Sequence, residues 1–494
     1  MDLIHAICEA TKQNYQQARL SRDPRFDGLF FIGVKTTGIY CRSICPAVAP
    51  KEENIDYYHS AIAAAQVGLR PCLRCRPDSA PHSYAWKGVK TTLERAIKLI
   101  DYARQNNQVI EMEHLAERLG ITSRYLRKLF QDQFGTSPKQ FMQYQQLLFA
   151  KTLLHQTKLS ITDIALISGF HSVRNFNQIF KQKLLLTPSQ FRKGRHEING
   201  DQTKPLQLYL SYRPPFNWDH MRAFLSFRAV PNMEWLPDDN TYVKTFSIDE
   251  MKGYFVAEHQ AEKYRFKVKV FLSDQSNLSS LYKLVANIRR ILDLDADMQQ
   301  IDEGITHLKL LGVNAISGLR VVGTGSVFEG LCRAVLGQQV SVKQAINLLT
   351  KLVHHYGDQE VVNGKTIYYF PEPQSLSDSD FEMLKMPGAR KLALRSLAAF
   401  LRNKPNAEVE ECLDVKGIGP WTVEYAKMRG LSDPNVFLAT DLVVRKRLMA
   451  LLAQENSSYP PINTNADYGG VITSLKNATS PWCSYVTFQL WNLQ

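Results

Sequence analysis

VKGIGPWTVEYA, residues 415–426, is the stretch on which the fold of the larger half of the chain turns. Gly417 and Gly419 flank one isoleucine between two helical patterns. Two glycines so placed let a tight hairpin form and let backbone amides come close to a phosphate. A lone G-x-G is weak evidence, so its surroundings decide. AVLGQQVSVKQA (334–345) precedes it, and VFLATDLVVRKRL (436–448) follows, which puts Asp441 about 20 residues beyond the hairpin. Asp441 precedes an apolar helical run, the position of a helix N-cap.

Outward from the hairpin, helical patterns run from about Leu278 to the end, interrupted by the extended-looking VVNGKTIYYFPEP (361–373). Between Leu206 and Val270 the pattern alternates. Leu206–Tyr212, Tyr242–Ile248 and Tyr264–Leu272 read as strands. RPDSAPHSYAWKG (76–88) and GRHEINGDQTKP (194–205) read as linkers, with a continuous helical pattern between them. The expected fold is multidomain, mainly α with α+β parts. It comprises a small α/β domain over 1–80 and an all-α domain over 90–194. A small α+β sheet subdomain over 205–318 and an all-α domain over 319–494 complete it. The 494 residues accommodate that many units at roughly 100–200 per domain.

Four of the eight cysteines fall together as Cys41-x3-Cys45-x26-Cys72-x2-Cys75. Two close pairs across a spacer are how a chain supplies four thiolates to a tetrahedral zinc. Cys8, Cys332, Cys412 and Cys483 have no such partners and read as core or bystander residues. Arg42, Arg70, Arg74 and Arg76 crowd the four ligands. Four thiolates and one Zn²⁺ sum to −2, and a methyl group placed on one sulfur leaves −1. That change relieves repulsion against a phosphate backbone, to which DNA affinity is steeply sensitive.

TTGIYCRSIC with GLRPCLRCRP resembles the N-terminal domain of the Ada adaptive-response family, over about residues 10–78. The resemblance implies repair of DNA methylphosphotriesters by methyl transfer to a zinc-bound cysteine, here Cys41. It puts Thr37 and Arg70 near the phosphate. A Pro-Cys-His-Arg methyltransferase motif, which that family carries downstream, is absent from this sequence. That second repair activity is therefore not expected.

The segments 110–141 and 160–191 share one layout: a short amphipathic helix, a glycine turn, a longer polar-faced helix, a Thr-Ser-Pro or Thr-Pro-Ser cap and Gln-Phe. This duplication resembles the AraC-type double helix-turn-helix over nearly all of 91–193. The second helix of each unit is then expected in the major groove. Ser123, Arg124, Arg127 and Lys128 are the candidates in the first unit, and Ser172, Arg174, Asn175 and Gln178 in the second.

The hairpin and its flanks resemble the helix-hairpin-helix glycosylase superfamily. YRPPFNWDHMRAFLSFRAVPNMEW (212–235) and WCSYVTFQLW (482–491) extend the likeness to the bacterial 3-methyladenine DNA glycosylase II type, covering about 206–494. The resemblance implies that Asp441 acts at a flipped nucleotide. An alkylated purine is cationic and leaves readily, so the need is for a carboxylate that stabilises the oxocarbenium-like sugar and orients water. Bifunctional relatives carry a Schiff-base lysine just after the hairpin; here that position is Trp421, which favours a monofunctional glycosylase. Trp421 suits stacking on an electron-poor base. Phe216, Trp218 and Trp235 are further pocket candidates. Gln339 stands where the family inserts a wedge, and a monovalent cation is expected on hairpin carbonyls near Val415 and Ile418.

The charge of +13 is unevenly placed. Residues 1–200 carry 28 Lys and Arg against 16 Asp and Glu; residues 201–494 carry 32 against 31. A basic front joined to a neutral back points to double-stranded DNA as partner. No apolar run reaches the ~18 residues of a membrane span, and the N-terminus has no signal-peptide core. The reading is a bacterial cytoplasmic, nucleoid-associated monomer that contacts RNA polymerase as an activator. The alternative is a methylation-responsive regulator whose C-terminal half is a catalytically inactive recognition module.

Overall fold

A computed structural model describes residues 9–22, 30–45, 47–58, 64, 67–72, 75, 89–105, 110–193, 205–274, 277–278, 280–453 and 465–492. The linkers expected at 76–88 and 194–205 lie almost wholly outside the described residues, as do Cys8, Arg74 and Arg76. The chain divides into two compact units between Gln145 and Gln146.

In the first unit, α1 (Glu9–Ser21) accompanies a four-stranded sheet of order β3-β1-β2-β4. The strands are β1 (Phe31–Val34), β2 (Ile39–Arg42), β3 (Ile55–Tyr58) and β4 (Arg70–Pro71), with β2 and β4 parallel. Every residue of β1 is buried, because both faces are covered. Ile32 and Val34 pack with Ala18 on one side, and Phe31 packs with Tyr40 and Ala64 on the other. Next come α2 (Val89–Gln105), α3 (Met112–Arg118) and α4 (Ser123–Phe134), closed over Leu93, Ile100, Leu115, Leu126 and Phe130. Helix α5 (Pro138–Gln156) begins in this unit and ends in the second.

The second unit holds α6 (Ile161–Ile167), α7 (Val173–Leu184) and α8 (Pro188–Lys193). The two repeats use matching punctuation. Thr122 caps α4 by accepting the N–H of Tyr125, and Ser172 caps α7 by accepting that of Asn175. Gly135 ends α4 at φ 64°, whereas Leu185 ends α7 at φ 60° and is 85% exposed.

A five-stranded antiparallel sheet follows, of order β5-β9-β8-β7-β6. It is built from β5 (Leu206–Ser211), β6 (Glu234–Asp238), β7 (Thr241–Ile248), β8 (Met251–Gln260) and β9 (Arg265–Leu272), with α9 (Trp218–Arg228) between β5 and β6. Strand β8 alternates buried and half-buried residues, the period-2 pattern of a sheet with one face on a core. Helices α10 (Leu281–Ile291) and α11 (Met298–Gly304) complete this part. The second helix-turn-helix is not free of it. Leu147, Leu153, Phe176 and Phe180 belong to the same buried apolar cluster as Leu208, Leu210 and Phe266. Gln156 Oε1 accepts the N–H of Tyr209 at 2.8 Å, and Phe149 meets Tyr282 edge-on at 4.9 Å.

The remaining helices are α12 (Val327–Gly337), α13 (Val342–Tyr356), α14 (Pro373–Ser377), α15 (Gly388–Asn403), α16 (Pro420–Gly430), α17 (Leu442–Leu452), α18 (Asn465–Thr479) and α19 (Cys483–Asn492). The extended insertion forms the hairpin β10 (Gln359–Val362) and β11 (Lys365–Tyr368). A second core, around Leu331, Leu352, Leu394 and Val423, holds α12, α13, α15 and α16 together. Sheet and helices are tied by a buried ion cluster. Lys244 on β7 pairs with Glu234 on β6 and with Glu329 on α12, and Arg333 contacts both carboxylates at 2.8 Å. Burial alone would push the Glu329 carboxyl up, but Lys244 and Arg333 hold it below the usual carboxylate range. Two anions facing two cations leave no uncompensated buried charge. No helix among the described residues is long and apolar enough to cross a membrane.

Candidate functional site

Ile418 N donates to Val415 O at 3.0 Å to close the hairpin, and Gly417 takes φ 92°, a conformation that glycine tolerates without strain. A side chain there would also strike Ala393 Cβ at 2.7 Å. Gly419 is different: it is the N-cap of α16, with Pro420 next, and a Cβ there would meet nothing within 4 Å. The hairpin therefore offers an open helix N-terminus to an anion. An open depression of about 550 Å³ is lined by Gln338, Gly417 to Thr422 and Thr440.

Asp441 begins α17 beside it. Its Oδ1 accepts the N–H groups of Val443 (3.0 Å) and Val444 (3.1 Å) and the indole N–H of Trp491 (3.1 Å). Its Oδ2 accepts the indole N–H of Trp421 at 3.3 Å. The N-cap and the candidate catalytic carboxylate are thus one group, fixed from α16, α17 and α19. An aromatic wall extends from it: Trp421 to Tyr425 at 5.5 Å, Tyr425 to Trp491 at 6.3 Å, Trp491 to Phe488 at 5.2 Å and Phe488 to Phe224 at 5.2 Å. Arg429 donates to the Tyr425 hydroxyl at 2.9 Å. The Arg228 guanidinium lies 3.9 Å over the Phe224 ring. Burial lowers its pKa to about 10, against the pull of Tyr425 and Asp441.

Of the sequence candidates, Trp421, Asp441, Gly417 and Gly419 come together. Gln339 lies exposed at φ 54° on the turn between α12 and α13, a strained placement for a residue with a Cβ. Its neighbour Gln338 turns toward the hairpin and donates to Thr422 Oγ1 at 3.2 Å. Phe216, Trp218 and Trp235 are elsewhere. Trp218 is buried, donates its indole N–H to Asp239 O at 2.7 Å and packs with Phe216 against His259 and Phe266. Trp235 stacks under Lys365 at 4.3 Å. Sequence reasoning missed Tyr425, Trp491 and Phe224. Tyr425 lies one helical turn beyond Trp421, on the same face of α16, which was a readable signal.

In the first unit, the sulfurs of Cys41, Cys45, Cys72 and Cys75 lie within 4.8 Å of one another, a donor set that fits a tetrahedral zinc. Strand pairing explains it: Cys41 sits on β2 opposite Ile32, and Cys72 N donates to Tyr40 O at 2.9 Å just after β4. Cys72 and Cys75 are buried, while Cys41 and Cys45 are partly exposed. Arg42 N donates to Cys75 Sγ at 3.3 Å, and the Ala47 backbone reaches Cys45. Thr37 is exposed on the β1–β2 turn, and it lines a cavity of about 660 Å³ with Cys41, Cys45 and Cys72. The side chain of Arg70 lies outside the described residues.

On the helix-turn-helix pair, Arg124, Arg127 and Lys128 are exposed along α4, with Arg127 3.7 Å from Glu113. Arg174 and Gln178 are exposed on α7 and Asn175 is half-buried. Ser172 is occupied as the cap.

Comparison with known proteins matches residues 14–78 to the metal binding domain of Ada, 115–194 to a helix-turn-helix domain and 207–326 to the AlkA N-terminal domain. The chain is 32% identical, over 95% of its length and 94% of the relative's, to a probable bifunctional transcriptional activator/DNA repair enzyme AlkA of Mycobacterium tuberculosis. It is 26% identical to DNA-3-methyladenine glycosylase 2 of Escherichia coli, covering 57% of this chain and 95% of that protein. Against the bifunctional transcriptional activator/DNA repair enzyme Ada of Escherichia coli it is 31% identical, over 39% of this chain and 52% of that one.

Proposed function

We propose, from the premise that this chain belongs to the family of bifunctional transcriptional activator/DNA repair proteins, that it excises alkylated purines from DNA and senses backbone methylation. The observation that carries the reading is Asp441, a carboxylate held by two indoles and a helix N-terminus at the end of an aromatic wall. A flipped cationic purine stacks on the half-buried Trp421, Tyr425 and Trp491 rings of that wall, and its departure leaves positive charge on the sugar. Asp441 stabilises that charge and orients the attacking water. With Trp421 in the Schiff-base position the base is lost by hydrolysis, without strand cleavage. Gly417 and Gly419 receive the DNA phosphate, and a monovalent cation on the Val415 and Ile418 carbonyls would strengthen that grip. Gln339, projecting on a strained turn, enters the gap left by the flipped base.

Zinc, when bound, supplies the positive charge that keeps Cys41, Cys45, Cys72 and Cys75 as thiolates. Cys41 Sγ is the methyl acceptor. It is partly exposed and lines the same cavity as Thr37. The S–C bond forms as the O–CH₃ bond of the phosphotriester breaks, and a phosphodiester anion leaves. Thr37 and Arg70 hold the phosphate. The helices α4 and α7 read an operator through Arg124, Arg127, Arg174 and Asn175, and the methylated protein recruits RNA polymerase as a cytoplasmic monomer.

The test is release of individual bases from methylated DNA by the full chain. Wild type should release 3-methyladenine, and Asp441→Asn should release none while still binding DNA. Full release by the variant removes Asp441 from catalysis; no release by wild type favours the inactive-module alternative. Borohydride should trap no covalent complex. Cys41→Ala should lose methyl uptake from methylated backbone, and uptake shifted to Cys45 would refute the acceptor assignment.

A further inference from the structure

The glycosylase half must hold a polyanion, yet residues 201–494 carry almost no net charge, 32 Lys and Arg against 31 Asp and Glu. The segment packed onto it is the opposite. Residues 146–193 carry seven Lys and Arg against one Asp. That segment is the second helix-turn-helix, and it shares a buried apolar cluster with the five-stranded sheet. Among the described residues strand β5 lies at the sheet's edge, and Gln156 accepts its N–H at Tyr209. Phe149 closes the junction against Tyr282. Its recognition helix α7 keeps Arg174, Gln178 and Lys181 exposed, with Lys183 beyond them.

Resting on the glycosylase reading above, we infer that the second helix-turn-helix is also the DNA grip of the glycosylase. Docked through the end of α5, it supplies phosphate contacts during base excision at sites that contain no operator. Salt dependence follows directly, because each phosphate neutralised by a cation releases counterions and contributes about 0.9 to the slope of log affinity against log salt.

The experiment measures excision of 3-methyladenine by the full chain from operator-free methylated duplex, as kcat and KM over a salt series. The triple variant Arg174→Ala, Lys181→Ala, Lys183→Ala should raise KM about tenfold near physiological salt and flatten the slope of log kcat/KM by about 2–3. The kcat at saturating DNA, set by Asp441 and the hairpin, should hold and so report an intact glycosylase fold. A second variant, Phe149→Ala with Gln156→Ala, keeps every charge but loosens the junction, and should raise KM in the same direction. Wild-type KM and slope in the triple variant, or wild-type KM in the loosened one, overturns the inference and leaves the glycosylase reading standing. No release by wild type overturns both.

Discussion

Replacing Asp441 by Asn and by Ala should separate its two roles. In Asp441→Asn the retained Oδ1 still caps α17 through Val443 and Val444 and still accepts from Trp491. Asn and Asp are nearly equal as N-caps. The new amide nitrogen, however, meets the Trp421 indole N–H donor to donor, where Oδ2 accepted at 3.3 Å. One lost hydrogen bond costs about 1 kcal/mol. Asp441→Ala loses the cap, about 1 kcal/mol, and leaves two half-buried indole N–H groups without acceptors, about 1 kcal/mol each at the lower end of that range. The alanine variant should therefore be about 2 kcal/mol less stable than the asparagine variant, while both lose base release. Denaturant midpoints for the unit containing residues 146–494, read beside 3-methyladenine release, make the comparison. Equal stability of the two variants would refute the shared-carboxylate account. Base release by Asp441→Asn at the wild-type rate would refute the electrostatic role.

The hairpin glycines should diverge. Gly417→Ala destabilises, because φ 92° and Ala393 at 2.7 Å both oppose a side chain, whereas Gly419→Ala leaves stability nearly unchanged and weakens DNA binding by covering the open amides; equal stability loss in the two would contradict this. Leu185→Gly should stabilise by about 1 kcal/mol, since an exposed leucine at φ 60° stands where the first repeat has Gly135; a destabilised variant would mean that Leu185 packs in a way its 85% exposure denies. His259, against Tyr212, should give an acid limb to the stability curve. Burial lowers its pKa to about 4 from an ordinary 6.5, so the stability it supports is complete above pH 6.5 and falls as pH drops toward 4. His259→Gln should flatten that limb in urea melts. A chelator that removes zinc should unfold the first unit's sheet domain, read by amide exchange on β1 and β2.

The helix-turn-helix repeats were the most legible part, because period 3.6, a Thr or Ser cap and a glycine turn all act within one helix pair. The second repeat departs from the first at Leu185, a leucine in the left-handed conformation where the first repeat has Gly135. The strands at 206–212, 242–248 and 264–272 showed in alternation. Strands β6 and β8 were not singled out: β6 is short and irregularly paired. The hairpin and Asp441 were readable from spacing, and Trp421 from its place beside them. Trp491 was not, since only the packing of α19 against α17, 50 residues apart, brings its indole to the carboxylate. Phe216 and Trp218 were attractive as aromatics near a motif, but their neighbours are the sheet's own. The Lys244 cluster is invisible in sequence, where a lysine within a strand reads as a solvated position.

The Gln156–Tyr209 contact bears on how the chain can be divided. A cut in the segment 194–205 falls between α8 and β5. It would remove the side chain that blunts β5 and strip an apolar covering from Leu147, Leu153 and Phe180 off the sheet's cluster. A fragment starting at residue 205 would present a bare strand edge to other copies of itself, inviting self-association. In the intact chain the regulator thus doubles as a solubilising cover for the enzyme, one reason a fusion once made would be hard to undo.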